Sequence, residues 1–296
     1  MGRKQVLACV IIGLLVGWGA SCTKERPITV GSKNFTEQVI LGEIVAQHLE
    51  LRLSRAVDRK LNLGGTLLAH QALLNGEIDL YPEYTGTALT AILKLPPTAD
   101  PAVSIATVRE QYQQRFGVEW MEPLGFNNTF AMVVHGEVAR KRHMATLSDA
   151  ARYAPGWKLG VGYEFQQRED GLAGLLEVYR LPMKGSPKTM DLGLLYKALE
   201  QHQVDMIAAS TTDGLLSVLD VMVLHDDQGY FPPYHGALAV RSDTLKENPV
   251  MRQALAELTG RFNDRKMRQL NYQVDGEHRP VREVAEQFLR EAGLRD

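Results

Sequence analysis

Two cations at matched places are the first chemistry the chain offers. Lys33 stands in GSKNF and Arg168 in QQRED, each shortly after a Val-Gly pair that ends an apolar run. Hydroxyls gather at a second matched pair of places, Thr85 and Thr87 in EYTGT and Thr211 and Thr212 in STTDG. Tyr81, Tyr84, Phe130, Tyr163 and Tyr234 fall in nearby loops or at strand ends. Cations with hydroxyls suit a carboxylate, because charge-assisted hydrogen bonds are the stronger ones. Aromatic faces suit a quaternary ammonium, at about 0.5 to 2 kcal/mol per ring according to desolvation. A zwitterion such as a betaine would use both sets. Taken singly, Lys33 reads as a solvated lysine and Tyr84 as a half-buried packing residue. Only their joint placement points to a ligand.

Groups for catalysis are sparse. The chain has no HExxH, GxSxG, P-loop or complete GxGxxG. His225-Asp226-Asp227 reads as a solvated turn rather than a metal site, since adjacent side chains in a loop point different ways. His70, at the start of a helical stretch, reads as a packed or capping side chain. Glu83 is a candidate buried acid, but no second carboxylate stands in sequence to pair with it for acid/base work. An enzyme acting on a small anion would have to rely on Glu83 and His235. The expectation is therefore a non-enzymatic protein without metal or cofactor.

The elements that must position these residues follow an α/β grammar. ITVGS (28 to 32) reads as a buried strand, followed by a helical pattern over 36 to 53, an alternating strand over 57 to 63, and a helix capped by Thr66 and stopped by Gly76. IDLY (78 to 81) and a helix over 101 to 116 complete a first set. A second set runs from TFAMVV (129 to 134) through helical patterns near 146 to 153, 171 to 180 and 191 to 202, with WKLGVG (157 to 162) and VDMIAA (204 to 209) as strands. The tail from 249 to 294 is mostly helical and charged.

The two sets echo each other. NGEIDLYPEYTGT (75 to 87) aligns without gaps on QHQVDMIAASTTD (201 to 213), and ITVGSKNF (28 to 35) on KLGVGYEF (158 to 165). Two matches in the same order suggest two related α/β lobes, with one continuous domain of repetitive grammar as the plainer alternative. In open α/β sheets ligands sit beyond the carboxyl ends of strands, near helix N-termini. Both echoed elements are such turns, so facing lobes would bring four loops to one cleft. The chain would cross between lobes near Asn127-Asn128 and Pro232-Pro233.

Composition sets the remaining bounds. The 296 residues are 45% hydrophobic and 23% charged, with a net charge of −2, which suits a globular protein and argues against a nucleic-acid binder. The two cysteines, Cys9 and Cys22, both lie at the N-terminus, so no disulfide framework spans the rest. Arg3 and Lys4 precede VLACVIIGLLVGWGA (6 to 20), a basic start and an apolar stretch that reads as a cleaved secretory signal. A spanning helix would want about 20 apolar residues. Loss of residues 1 to 21 removes Arg3 and Lys4 and takes the charge from −2 to −4. Cys22 follows Gly19-Ala20-Ser21 in a pattern that resembles the lipobox of bacterial lipoproteins, in which the cysteine is acylated. Ala20 and Ser21 fit it, and Gly19 departs from the usual aliphatic residue. Ordinary cleavage nearby is the alternative.

GSKNFTEQ (31 to 38), LGGTLLAHQAL (63 to 73), NGEIDLYPEYTGT, EFQQREDG (164 to 171), STTDG (210 to 214) and FPPYHGALAV (231 to 240) occur in order. Together they resemble the substrate-binding proteins of osmoprotectant ABC importers, the glycine betaine/choline/carnitine-binding family, from Ile28 to about Leu294. The resemblance implies a bilobed periplasmic-binding-protein fold (type II) that closes on its ligand by a hinge. It also implies delivery to a membrane permease driven by an ATPase. Residue by residue, it assigns Lys33, Thr87 and Arg168 to a ligand carboxylate, Tyr84 and Tyr234 to a cage around trimethylammonium, and Asn128 near that headgroup. Two cage positions depart from the pattern: Phe130 stands for a tyrosine, and Ser210 for another. Loss of a ring would weaken a caged cation by roughly ten-fold. Some relatives with an incomplete cage bind other trimethylammonium compounds, such as ergothioneine.

The expected organisation is a signal peptide over 1–21, a lipid-anchored linker over 22–27, lobe I over 28–127 and 235–296, and lobe II over 128–234. The expected site comprises Lys33, Tyr84, Thr87, Asn128, Phe130, Arg168, Ser210 and Tyr234, with Tyr81, Tyr163, Thr85 and Thr211 beside it. The expected protein is monomeric, held at the outer face of the membrane or in the periplasm by lipid on Cys22. A ligand-sensing receptor of the same fold is the other reading.

Overall fold

The structure is a computed structural model that describes residues 26–153 and 156–295. The expected signal and the cysteine expected to carry lipid lie outside the described residues.

The first sheet gathers β1 (Ile28–Gly31), β2 (Val57–Lys60), β3 (Leu80–Tyr84) and β4 (Val118–Trp120). The second gathers β5 (Phe130–His135), β6 (Leu159–Val161), β7 (Lys188–Thr189), β8 (Met206–Ser210) and β9 (Val221–Leu224). The chain then returns to the first sheet as β10 (Gly236–Arg241). The orders are β2-β1-β3-β10-β4 and β7-β6-β8-β5-β9. In each, three neighbouring strands are parallel, and a fourth inserts antiparallel beside them, β10 in the first sheet and β5 in the second. The protein is a bilobed α/β fold whose sheets share one topology.

The echo seen in sequence has a physical content. Asp79, just before β3, receives the Thr29 amide on Oδ2 at 2.7 Å and gives its own amide to the Thr29 carbonyl at 2.8 Å. Asp205, just before β8, does the same with Lys158, at 2.8 Å for each bond. One aspartate per lobe thus pins the start of the central parallel pair.

Helices cover the sheets. They are α1 (Thr36–Leu53), α2 (Thr66–Leu74), the turn α3 (Thr85–Thr87) and α4 (Pro101–Phe116) in the first run. The second run holds α5 (Gly136–Lys141), α6 (Leu147–Tyr153), α7 (Tyr163–Gln167), α8 (Gly174–Tyr179) and α9 (Leu192–Glu200). The tail forms α10 (Ser242–Glu247), α11 (Pro249–Ala256), α12 (Asp264–Asp275) and α13 (Val281–Glu291). The sequence marks the ends of α4 fully: Asp100 caps the Ala102 amide at 2.8 Å, Pro101 opens the helix, and Gly117 ends it at φ 63°. α1 is the central helix of the first lobe, with Ile40, Leu41, Ile44 and Leu49 fully buried in a core shared with α11 to α13. Truncating any of them to alanine costs about 2 to 5 kcal/mol.

Two segments cross between the sheets side by side. Asn128 donates its amide to the Tyr234 carbonyl at 3.1 Å, and the Tyr234 amide donates to Asn127 Oδ1 at 2.7 Å. A third link comes from α12. Arg268 Nε donates to the Thr211 carbonyl at 2.7 Å and Asn271 Nδ2 to the Thr212 carbonyl at 2.8 Å. Gly214 lies so close to the Tyr272 backbone that a Cβ there would collide with it, so only glycine lets this loop meet the helix.

Candidate ligand-binding site

The loops following β1, β3, β6 and β8 meet between the lobes. Lys33, two residues past β1, is buried with 2% exposure, and its Nζ donates to Glu83 Oε1 at 2.6 Å and to Thr66 Oγ1 at 3.4 Å. The same Nζ lies 4.6 Å from the centre of the Tyr84 ring, which stacks on Phe35. Glu83 alternates with Tyr84 along β3. It also receives the Tyr84 amide at 2.7 Å and the Tyr81 hydroxyl at 3.2 Å. Tyr81 therefore lies beneath the site, fully buried, as support for Glu83.

Arg168 forms the counterpart in the second lobe. Its Nε and Nη2 donate to the two oxygens of Asp170 at 2.8 and 2.6 Å, and Nη1 reaches across to Thr87 Oγ1 at 3.0 Å. Asp170 Oδ2 also receives the hydroxyls of Thr90 at 2.7 Å and Tyr234 at 2.6 Å. Burial works against the Arg168 charge, but Asp170 outweighs it and holds the guanidinium above its ordinary pKa. Burial likewise opposes the Asp170 charge, and Arg168 outweighs it and keeps that carboxyl below its usual range. The guanidinium carbon lies 5.3 Å from the Phe130 ring centre and 5.6 Å from that of Tyr234. Phe130 meets Tyr234 edge-on at 5.6 Å and Phe165 at 4.9 Å.

A third acid lies beside the crossing strands. Glu37, in the first turn of α1, receives the Tyr84 hydroxyl at 2.6 Å, Asn128 Nδ2 at 2.7 Å and Asn271 Nδ2 at 3.1 Å. Its burial raises its pKa despite those donors. Asp213, after β8, is pushed up to about 7 by burial and by the nearby Glu37 and Asp275 carboxylates, while the Ser210 amide and Tyr196 hydroxyl hold it down.

The structure thus brings together Lys33, Tyr84, Thr87, Asn128, Phe130, Arg168 and Tyr234. Ser210 pairs with Phe130 across β8 and β5, so the non-aromatic residue does flank a ring of the site. Thr85 instead ties the crossing segment, donating to the Pro233 carbonyl at 3.3 Å and accepting the His235 amide at 3.1 Å. Thr211 does likewise, donating to the Asn127 carbonyl at 3.2 Å. Tyr163 stands 58% exposed at the start of α7 and supplies no wall here. The sequence reading placed Lys33 and Arg168 as the positive charge of the cleft. The structure corrects that picture, since each is matched by a buried carboxylate. It missed Asp170, although this residue sits two positions after Arg168 in the same motif. It also missed Glu37 and Glu164, whose partners come from distant parts of the chain. The His225-Asp226-Asp227 turn is braced by the Tyr230 and Phe231 amides donating to Asp226 at 3.0 and 2.8 Å.

Two lobes of one topology, joined by paired crossing strands and closing on aromatic rings and buried ion pairs, define a periplasmic-type solute-binding protein. The particular family follows from likeness to known chains. Residues 26–291 match the substrate binding domain of ABC-type glycine betaine transport system, and the chain belongs to that family. It is 37% identical over 92% of its length to the ergothioneine transport permease/ergothioneine binding protein EgtU of Helicobacter pylori strain G27, and spans 48%, about half, of that relative. It is 34% identical to the glycine-betaine-binding protein of Pseudomonas aeruginosa, over 99% of this chain and 95% of that one. A crystal structure of a glycine betaine/carnitine/choline ABC transporter protein is 30% identical, with a TM-score of 0.76, over 91% of this chain and all (100%) of the other. The protein is a substrate-binding protein of an ABC importer, not an enzyme. Its partners are a small molecule and a permease. No helix among the described residues is long and apolar enough to cross a membrane.

Proposed function

We propose that this protein captures a small quaternary-ammonium or zwitterionic compatible solute of the glycine betaine, choline or carnitine kind and hands it to its permease. The observation that carries the reading is the arrangement of Tyr84, Phe130 and Tyr234, each with a cationic group between 4.6 and 5.6 Å from its ring centre. Rings that attract these cations would attract a trimethylammonium group by the same quadrupole interaction. In this reading Lys33, Arg168 and Thr87 would meet a ligand carboxylate, which shares the two cations with Glu83 and Asp170, and Asn128 and Ser210 are further candidates for the site. Calorimetric titration with betaine, choline, carnitine, proline betaine and ergothioneine tests the proposal. Binding of at least one below about millimolar supports it. Binding of a sugar or simple anion instead, with none of the five bound, overturns it.

Ergothioneine is the second reading. It is favoured by the 37% identity to a relative named for that ligand and by Ser210 in place of a cage ring. The titration ranks it against betaine directly. We further propose lobes spanning 28–127 with 235–296 and 128–234, a monomeric mature chain, and attachment by lipid on Cys22 at the outer face of the cell membrane or in the periplasm. Cys22→Ala should then move the protein from the membrane to the soluble fraction.

A further inference from the structure

The cleft is spanned at one further place, away from the ion pair of Arg168. Glu164, in the first turn of α7 in the second lobe, lays its carboxylate on the N-terminus of α2 in the first. Oε1 accepts the Thr66 amide and Oε2 accepts the Thr66 hydroxyl at 3.2 Å. That amide is one of the donors a helix start leaves without an internal partner, and no side chain of the Gly65 cap position takes it. A carboxylate is favoured there by the helix dipole as well as by the hydrogen bonds. Thr66 Oγ1 is also where Lys33 Nζ donates, so the contact walls off the buried Lys33–Glu83 pair. Gly65 makes room for it, since a Cβ at that position would collide with Glu164 Oε1.

We infer that Glu164 is a latch of the closed state: a positioning residue that clasps α2 from across the cleft and sets how long a ligand is retained. The inference concerns the same site as the proposed function and rests on its closing motion. Affinity of a ligand that needs the closed form scales with the fraction of protein that closes. The latch forms only when the lobes meet, so its loss speeds departure of the ligand and cannot slow its arrival. The seat is a pair of donors to a charged acceptor, and losing such a contact weakens binding by about ten-fold or more.

The test uses Glu164→Ala and, from the opposite lobe, Gly65→Ala, together with their double variant. Stopped-flow binding of the best ligand from the titration should show dissociation about ten-fold faster in each single variant, with association no slower than in wild type. The double variant should be no faster than either single one, because both remove one contact. An unchanged dissociation rate in both single variants, or additive effects in the double one, overturns the latch. Small-angle scattering of the ligand-free protein gives a readout that needs no ligand. Glu164→Ala should enlarge the radius of gyration relative to wild type at an unchanged melting temperature. Equal radii overturn the latch even if the solute class is right. A wild type that binds none of the five solutes would instead sink the proposed function while scattering still decides the latch.

Discussion

Arg168 and Asp170 form a two-point ion pair within one turn of the second lobe, the first lobe closes onto both members through Thr87 and Thr90, and Tyr234 of the crossing segment donates to Asp170 as well. Removing the arginine alone leaves Asp170 buried and unmatched, which costs roughly 3 to 5 kcal/mol. Arg168→Ala is therefore expected to lose carboxylate-ligand binding and also to melt earlier. Arg168→Ala with Asp170→Ala should recover most of the melting temperature and none of the binding. Calorimetry and thermal denaturation on the two variants separate the roles, and full binding by the double variant would remove Arg168 from the site.

Ser210 faces the question of specificity most directly. Its strand neighbour across the sheet is Phe130, so a ring introduced at 210 stands next to an existing one. Ser210→Tyr should tighten betaine or choline binding by about ten-fold. Titration of the variant with both solutes is the check. Unchanged affinity for both would place position 210 outside the cage.

Asp213 gives the protein a pH signature. Its pKa is near 7 in the folded state, against 3.8 for an ordinary aspartate. The folded protein thus holds an extra proton between those values, and stability from this group is full below about pH 4 and declines as pH rises to about 7. Asp213→Asn keeps an acceptor for the Ser210 amide and removes the charge. Its melting temperature should exceed that of wild type at pH 8, and the two should converge near pH 4. A wild type that gains on the variant as pH rises would refute the assignment.

The aspartate pins predict matched losses. Asp205→Ala leaves the Lys158 amide without its acceptor and should cost about 1 kcal/mol. Chemical denaturation should show a lower midpoint at the same slope. Hydrogen exchange should place the loosening in β6 and β8 and leave β1 and β3 protected.

Much of this architecture is legible in the residue order because local rules write it there. Asp100-Pro101 and Gly117 bracket α4, and Ile78-Asp79 and Val204-Asp205 announce the two pinned strands. β10 is hard to read, since Gly236-Ala237-Leu238-Ala239 has neither β-branched residues nor alternation and the strand's one β-branched residue, Val240, comes after them, and it becomes a strand only between β3 and β4. The site follows the same division. Lys33, Arg168 and the rings are visible by type and motif. Their partnerships are not, because Lys33 and Glu83 lie 50 residues apart and Glu164 and Thr66 98 apart. Asn271 contacts Glu37 from 234 residues away, from a helix whose own pattern shows only an amphipathic tail.

The return of β10 to the first sheet has a consequence for how the molecule assembles. The second sheet is drawn wholly from residues 130 to 224, an unbroken run of chain. The first needs β10 between β3 and β4 and so must wait for a strand some 150 residues after β3, a slow long-range closure. The nested lobe can complete itself first and carry the two ends of the outer lobe toward each other through its paired crossing strands. A chain cut after residue 224 would keep one finished lobe and leave β3 and β4 as open edges, exposed to pairing with other chains.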